Sequence, residues 1–193
     1  EAEAAFGGEG QKAAVEEIGA EIDNIRAAWG WAVAHQQIAA LDPALESVRG
    51  YYDHVSRYTE AAELYGAAVE GEQASGGEGS PLRGRLLFGQ AWFYHRLDRF
   101  EAARILLQQS LIFLRSAQPP LPADEALCLQ CLGNVAYAVG DFAQAIEYSR
   151  QSLALRRAAG NPAHIAASLN NLGLSHTDLG LFDEARRLHE ESL

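Results

Sequence analysis

A regular spacing of aromatic, alanine and branched apolar residues runs along this chain of 193 residues. In each unit, alanine follows an aromatic residue by three positions, and valine or leucine follows the alanine by eight. The units are Tyr58, Ala61 and Val69; Phe100, Ala103 and Leu111; Phe142, Ala145 and Leu153; and Phe182, Ala185 and Leu193. The aromatic residues follow one another at intervals of 42, 42 and 40 residues. Such a period indicates a tandem array, whose units bury their apolar faces only by stacking on one another.

Each unit carries the signals of two antiparallel helices. A glycine at 140 and another at 180 suit the end of a first helix. The repeated alanines allow the helices to approach, and the aromatic and later apolar residues are expected to fill the seam between them. The residues nine positions before the aromatics are Arg49, Ala91, Gly133 and Gly173. Three of these are small, as a close helix crossing requires, and Arg49 departs from the rule.

The predicted boundaries divide the chain into six segments. They are 1–8, expected to be flexible; 9–36, an N-terminal packing helix; 38–73, a degenerate first repeat; and repeats at 81–116, 123–159 and 162–193, the last truncated. The packing helix is predicted from one apolar stripe at helical spacing. Its members are Val15, Ile18, Ile22, Ile25, Trp29 and Val33.

The last two units resemble tetratricopeptide repeats. The residues that carry the resemblance are Leu132-Gly133-Asn134, Tyr137, Gly140-Asp141-Phe142, Ala145 and Leu153, then Leu169-Asn170-Asn171-Leu172-Gly173, Gly180, Phe182, Glu184-Ala185 and Leu193. Their spacing exceeds the family's usual period of about 34 residues, and is similar to the longer variant of kinesin light chains and many bacterial regulators. The resemblance implies an all-α, right-handed superhelix, an α-α solenoid of about four helical hairpins plus an N-terminal helix.

A second resemblance lies within the packing helix. Residues 21–32, Glu-Ile-Asp-Asn-Ile-Arg-Ala-Ala-Trp-Gly-Trp-Ala, resemble the junction helix of bacterial signal-transduction ATPases with numerous domains. This implies a non-catalytic sensor or interaction arm of a larger bacterial transcriptional regulator with an ATPase module. No phosphate-binding Gly-x-x-x-x-Gly-Lys-Ser/Thr motif lies in this chain, so no ATP site is carried over. The alternative is a constitutive scaffold or adaptor that binds a peptide segment in its concave groove.

Charge and hydropathy restrict the partners and the location. The chain has 26 acidic and 15 basic residues, a formal net charge of -11, which disfavours binding to nucleic-acid phosphates. It has no apolar stretch of membrane-spanning length and no basic, apolar leader. We therefore expect no membrane binding and a cytoplasmic location. The last helix ends with an apolar face, which predicts further repeats or a dimer through that helix.

Signals of catalysis and metal binding are weak. Cys128 and Cys131 form a Cys-x-x-Cys, but they lie inside a predicted helix without a second pair, which favours a packing role over zinc binding. The histidines are scattered; they are His35, His54, His95, His164, His176 and His189. No serine lies in a Gly-x-Ser-x-Gly context. The sequence therefore predicts no enzyme activity, no cofactor and no metal site.

The first helices of the hairpins are expected to line a concave groove for a protein, a peptide or a small effector. Their predicted inward residues are Arg85, Trp92, His95, Arg96, Gln130, Asn134, Tyr137, Asn170, Asn171 and Thr177, with Leu174 and Asp178 beside them. Amides can pair with a peptide backbone, and arginines can bind a carboxylate. Tryptophan can anchor a partner. For any one of these residues, an ordinary solvated or interhelix role stays open.

Overall fold

The computed structural model describes residues 9–76 and 80–193. These residues form nine α-helices and one 3₁₀ helix, with no strand among them. The elements are α1 Glu9–Ala34, the 3₁₀ helix Ile38–Ala44, α2 Leu45–His54, α3 Tyr58–Ala74, α4 Pro81–Arg96, α5 Phe100–Arg115, α6 Pro122–Ala138, α7 Phe142–Ala159, α8 Pro162–Asp178 and α9 Phe182–Glu191. The predicted all-α solenoid of stacked hairpins is confirmed. The predicted flexible segment 1–8 lies outside the described residues.

The hairpins are α2–α3, α4–α5, α6–α7 and α8–α9, and the turn inside each has a residue with positive φ. In the third and fourth hairpins this residue is Gly140, with φ 81°, and Gly180, with φ 74°. At the same position of the repeat, the first and second hairpins have Ser56 and Asp98, both with φ 56°. The left-handed backbone strains residues that carry a Cβ. The turn geometry is thus common to all four units, although glycine is not.

Helix starts follow local rules. Proline occupies the first turn of α4, α6 and α8, where a missing N–H costs nothing. Ser80, Asp141 and Asn161 cap α4, α7 and α8, each accepting a hydrogen bond from a backbone N–H of the first turn. These contacts fix the N-terminal ends of α4, α7 and α8, of which α4 and α8 are first helices of their hairpins.

The core changes in character along the solenoid. Near α1 it is built from large rings, and Trp29, Tyr52, Tyr65 and Phe93 are almost fully buried there. The indole of Trp29 donates to Leu64 O at 3.0 Å, which ties α1 to α3. The apolar stripe of α1 packs against this cluster. At the other end, the buried cluster consists only of Leu153, Leu169 and Leu172.

Close helix approach occurs at two kinds of position. A Cβ added to Gly133 would lie 3.1 Å from Ser149 Oγ, which is the intrahairpin crossing that the repeat pattern predicts. A Cβ on Gly89 would lie 2.1 Å from Tyr65 Cε1, so the Tyr65 ring rests on the backbone of α4. Gly89 lies between hairpins and was not singled out by the repeat pattern. The seam expectation is wrong for Phe182, which is 68% exposed, and for Leu193, which is fully exposed.

Candidate functional site

Two cavities open on the face formed by the first helices of the hairpins. We call the first the N-terminal cavity, about 260 Å³ in volume, and the second the C-terminal cavity, about 230 Å³. The N-terminal cavity is lined by Asp42, Pro43, Leu45, Glu46, Arg49, Tyr65, Arg85, Phe88, Gly89, Asp124 and Leu127. The C-terminal cavity is lined by His95, Gly133, Asn134, Tyr137, Ala138, Ser149, Asn171, Leu174 and Ser175. In solenoids of this kind the first helices form the concave face.

Arg85 lies at the N-terminal cavity, but its guanidinium is already bound. Its Nε donates to Asp124 Oδ2 at 2.9 Å, and its Nη1 donates to both carboxylate oxygens of Asp42 at 3.0 Å. Burial opposes the charge of Arg85, yet these two carboxylates outweigh it and raise its pKa. Arg85 therefore links the 3₁₀ helix, α4 and α6, rather than presenting a free guanidinium to a ligand.

Trp92 is only partly buried, and its ring is covered by another side chain. The Cζ atom of Arg49 lies 4.9 Å from the Trp92 ring centre and 5.5 Å from that of Phe88. The indole Nε1 of Trp92 is buried without a hydrogen-bond acceptor. Arg49 therefore covers one face of the Trp92 ring. Sequence reasoning did not name Arg49 as a groove residue, although its departure from the small-residue rule was the available signal.

Arg96 is bound within the protein in the same way as Arg85. Its Nε lies 3.0 Å from Asp53 Oδ1, and its Nη2 donates to Tyr58 Oη at 2.7 Å. The hydrogen bond to Tyr58 is the largest influence that raises the pKa of Arg96. His95, next in the chain, lines the C-terminal cavity and contacts the Phe100 ring. Burial, followed by the charge of Arg96, lowers the pKa of His95 and favours the neutral imidazole.

The C-terminal cavity brings four predicted residues together: His95, Asn134, Tyr137 and Asn171. Asn171 Nδ2 donates to Asn134 Oδ1 at 3.2 Å. This bond leaves the Asn134 amide with its N–H donors and the Asn171 amide with its carbonyl acceptor. A hydrogen bond to Asp178, with burial, raises the pKa of Tyr137. The cavity thus offers one amide donor group and one acceptor beside an exposed ring.

Three further predicted residues lie outside both cavities, as Trp92 and Arg96 also do. Gln130 Oε1 accepts a hydrogen bond from Arg156 Nη2, and since a guanidinium can only donate, the Gln130 amide keeps its N–H groups for other partners. Asn170 is exposed on α8. Thr177 is also exposed, and its Oγ1 donates to Gly173 O within the same helix at 2.9 Å. These three do not add to either cavity.

The buried cysteines face the core. Cys128 and Cys131 are both free thiols. Burial is the main cause that raises the pKa of Cys128 to about 12, and burial also raises that of Cys131. Such thiols are poor nucleophiles at neutral pH. Within residues 9–76 and 80–193, no group of three His, Cys, Asp or Glu residues is arranged to hold a metal ion.

Comparison with known proteins agrees with this architecture. A family model described as tetratricopeptide repeat matches residues 50–116 and 125–193. No curated protein matches the chain. None of the helices in the described part of the chain combines the length and apolar character that a membrane crossing requires.

Several solved structures share the fold at low sequence identity. BtubC (BKLC) from P. vanneervenii is 22% identical, with a TM-score of 0.77, over 92% of this chain and 75% of that one. Repeats described as those of a kinesin light chain from Podosopora anserina are 19% identical, with a TM-score of 0.60, over 94% and 92% of the two chains. The MamA protein is 17% identical, with a TM-score of 0.59, over 93% and 88%.

Proposed function

Because the chain belongs to the tetratricopeptide-repeat family, whose helical repeats form protein-interaction domains, we propose that its concave groove binds an extended peptide segment of a partner protein without catalysis. The observation that carries the proposal is the pair of amides at the C-terminal cavity. Asn134 offers N–H donors and Asn171 offers a carbonyl acceptor, which are the groups that a peptide bond recognises. A backbone contact of this kind gives affinity without demanding one side-chain sequence.

The walls of the C-terminal cavity supply room for a side chain of the peptide. Tyr137 and Leu174 are both more than a third exposed and flank the two amides. Aromatic groups next to hydrogen-bonding amides are common in peptide-binding sites, since a ring adds contact area at small entropic cost. His95, favoured in its neutral form, adds no charge to this cavity. We therefore propose an uncharged side chain here.

The two cavities lie along α6. Leu127 lines the N-terminal cavity and Asn134 lines the C-terminal one. With a rise of about 1.5 Å per helical residue, these positions are about 10 Å apart along the helix axis. An extended peptide covers this distance with about three residues. The arrangement supports a short linear segment as the ligand rather than a folded domain.

The test is selection of peptides from a random displayed library against the full chain, followed by fluorescence anisotropy. Replacement of both groove amides, N134A with N171A, is expected to weaken a selected peptide by about tenfold, as the loss of two hydrogen bonds predicts. The matched control is Q108A with Q144A, two exposed amides of α5 and α7 that line a different cavity. Equal affinity of the groove variant and the wild type would overturn the proposal.

We also propose that the domain is the sensor or interaction arm of a larger bacterial transcriptional regulator with an ATPase module, in the cytoplasm. The support is the resemblance of residues 21–32 to a junction helix. Arg26, in this segment, donates from Nε to Tyr52 Oη at 3.1 Å and pairs with Glu60 of α3. A module attached at α1 would be coupled through these contacts to the first hairpin.

A constitutive scaffold is the second candidate, favoured by the fold shared with kinesin light chain repeats and MamA. The coding sequence on the 5′ side of residue 1 distinguishes the two. A phosphate-binding Gly-x-x-x-x-Gly-Lys-Ser/Thr motif followed by a winged-helix pattern is expected for the regulator. If the coding sequence has neither pattern, the constitutive scaffold is the supported candidate.

A further inference from the structure

The N-terminal cavity contains two opposite charges that do not pair with each other. Glu46 and Arg49 lie on α2, three residues apart, and both line the cavity. Side chains at this spacing are neighbours on a helix and commonly form an ion pair. Within the described ranges neither residue takes part in an ion pair, although twelve other ion pairs form there.

Aromatic rings hold Arg49 away from Glu46. The guanidinium lies over Phe88 and Trp92 of α4, which is a favourable cation–π arrangement. A ring contact uses the face of the guanidinium and leaves its in-plane N–H groups for an acceptor. No hydrogen bond from these N–H groups reaches another side chain of the described segments. Glu46 is exposed, and its carboxylate likewise forms no ion pair with a described residue.

The remaining charged side chains of the cavity bind one another, one guanidinium with two carboxylates, so the group keeps one net negative charge. Arg85 binds Asp42 and Asp124 together, as described above. These three side chains come from three different elements, the 3₁₀ helix, α4 and α6. In this cavity, therefore, Arg49 is a cation and Glu46 is an anion that form no ion pair with a described residue, and both are open to a ligand. Phe88 and Leu127 supply the apolar part of the wall.

We propose that the N-terminal cavity binds a free α-amino acid, with its carboxylate at Arg49 and its ammonium group at Glu46. An α-amino acid carries its ammonium and carboxylate groups on the same carbon atom, so the two charges lie as close together as two side chains one helical turn apart require. The cavity volume of about 260 Å³ is large enough for a molecule of this size. The ligand is a small effector. It competes with any part of the proposed peptide that extends from the C-terminal cavity into this one, because both cavities lie on the same groove.

The first experiment measures binding of the free L-amino acids to the full chain by saturation-transfer NMR and calorimetry. We expect at least one to bind with a Kd on the order of 1 mM, since ion pairs in an open cavity contribute modestly. The N-acetyl derivative, without the ammonium charge, and the amide derivative, without the carboxylate, are each expected to bind about tenfold more weakly. Binding by none of the amino acids, or equal binding by either derivative, would overturn the proposal.

Variants locate the site. E46Q keeps the shape of an exposed side chain, so it is expected to fold normally and to lose about tenfold in affinity. R49L is expected to lose at least as much. The controls are E63Q and R99L, because Arg99 also lies over a ring, that of Tyr94 at 5.6 Å, but lines a different cavity. If E46Q bound the amino acid with wild-type affinity, the proposal would be wrong.

Failure here is separable from failure of the peptide-binding proposal. The peptide proposal depends on Asn134 and Asn171 at the C-terminal cavity. The double variant N134A with N171A is expected to bind the amino acid as the wild type does. Loss of peptide binding with retained amino acid binding, or the reverse, therefore identifies which of the two cavities has been assigned wrongly.

Discussion

In the first hairpin, α2 and α3 meet through large side chains, whereas in the third hairpin α6 and α7 meet at a glycine. Tyr65 of α3 donates a hydrogen bond to Leu45 O, and its ring fills the space below α4. Gly133 instead lets α7 approach until Ser149 lies against the backbone of α6. The position equivalent to Gly133 in the first hairpin is Arg49, whose side chain lies over neighbouring rings on the groove face.

This difference shows that a position that departs from the repeat pattern can have a different role, here a groove side chain in place of a helix-packing residue. The first hairpin lacks the small residue at this position. The large side chains of Trp29 and Tyr65 pack in its core, in place of a close crossing of the two helices. The freed position then carries a charged side chain to the groove. The third and fourth hairpins keep the small residues and present amides instead. One end of the groove is consequently charged, and the other is neutral and hydrogen-bonding.

The largest expected effect is the loss of a ring from the N-terminal core. W29A removes a buried indole and its hydrogen bond to Leu64 O, so it is expected to lower the free energy of unfolding by about 4 kcal/mol. The matched control is W31A, two residues along α1, whose side chain is 56% exposed. We expect the control to change stability by less than about 0.5 kcal/mol. Urea denaturation followed by circular dichroism measures both, and similar midpoints would contradict the ring-built core.

A glycine pair tests the two kinds of close approach. G89A places a Cβ against the buried Tyr65 ring, which cannot move without breaking its hydrogen bond, and is expected to destabilise by about 3 kcal/mol. G133A meets Ser149 Oγ at 3.1 Å, where a small shift suffices. Its cost is offset by the better helix propensity of alanine, so we expect a change within about 1 kcal/mol. Thermal melts compare the two, and a larger loss for G133A would reverse our view of which contact is tighter.

The smallest effect concerns the turn inside the hairpins. Asp98 has φ 56°, a conformation that glycine adopts freely and aspartate does not. D98G is therefore expected to stabilise the protein by up to about 1 kcal/mol, less the entropy that glycine adds to the unfolded chain. G140A, at the same position of the third unit, is expected to destabilise by a similar amount. Urea midpoints that move in the same direction for both variants would show that the turns are not equivalent.

Prediction from the sequence succeeded where the signal is local and repeated. The spacing from Phe100 to Ala103 and the same spacing from Phe142 to Ala145 predicted paired helices, because helical periodicity brings such residues onto one face. Gly140 and Gly180 marked two turns directly, whereas the turns at Ser56 and Asp98 followed only from the repeat spacing, because neither residue carries a comparable local signal. The sequence named Arg85 and Arg96 as groove charges, but it did not predict the carboxylates within the protein that bind them. It did not name Arg49 as a groove residue.

The sequence by itself determined that the chain forms stacked helical hairpins, because the apolar period and the helix ends are properties of neighbouring residues. Which groove residues remain for a ligand was decided only in the tertiary structure. Arg85 meets Asp42 and Asp124, which lie 43 and 39 residues away in the chain. Arg49 meets rings of α4 instead of the carboxylate one turn before it. Charged side chains are long, so each can reach several oppositely charged groups or rings. Only the packing of different hairpins sets which of these lies within contact distance.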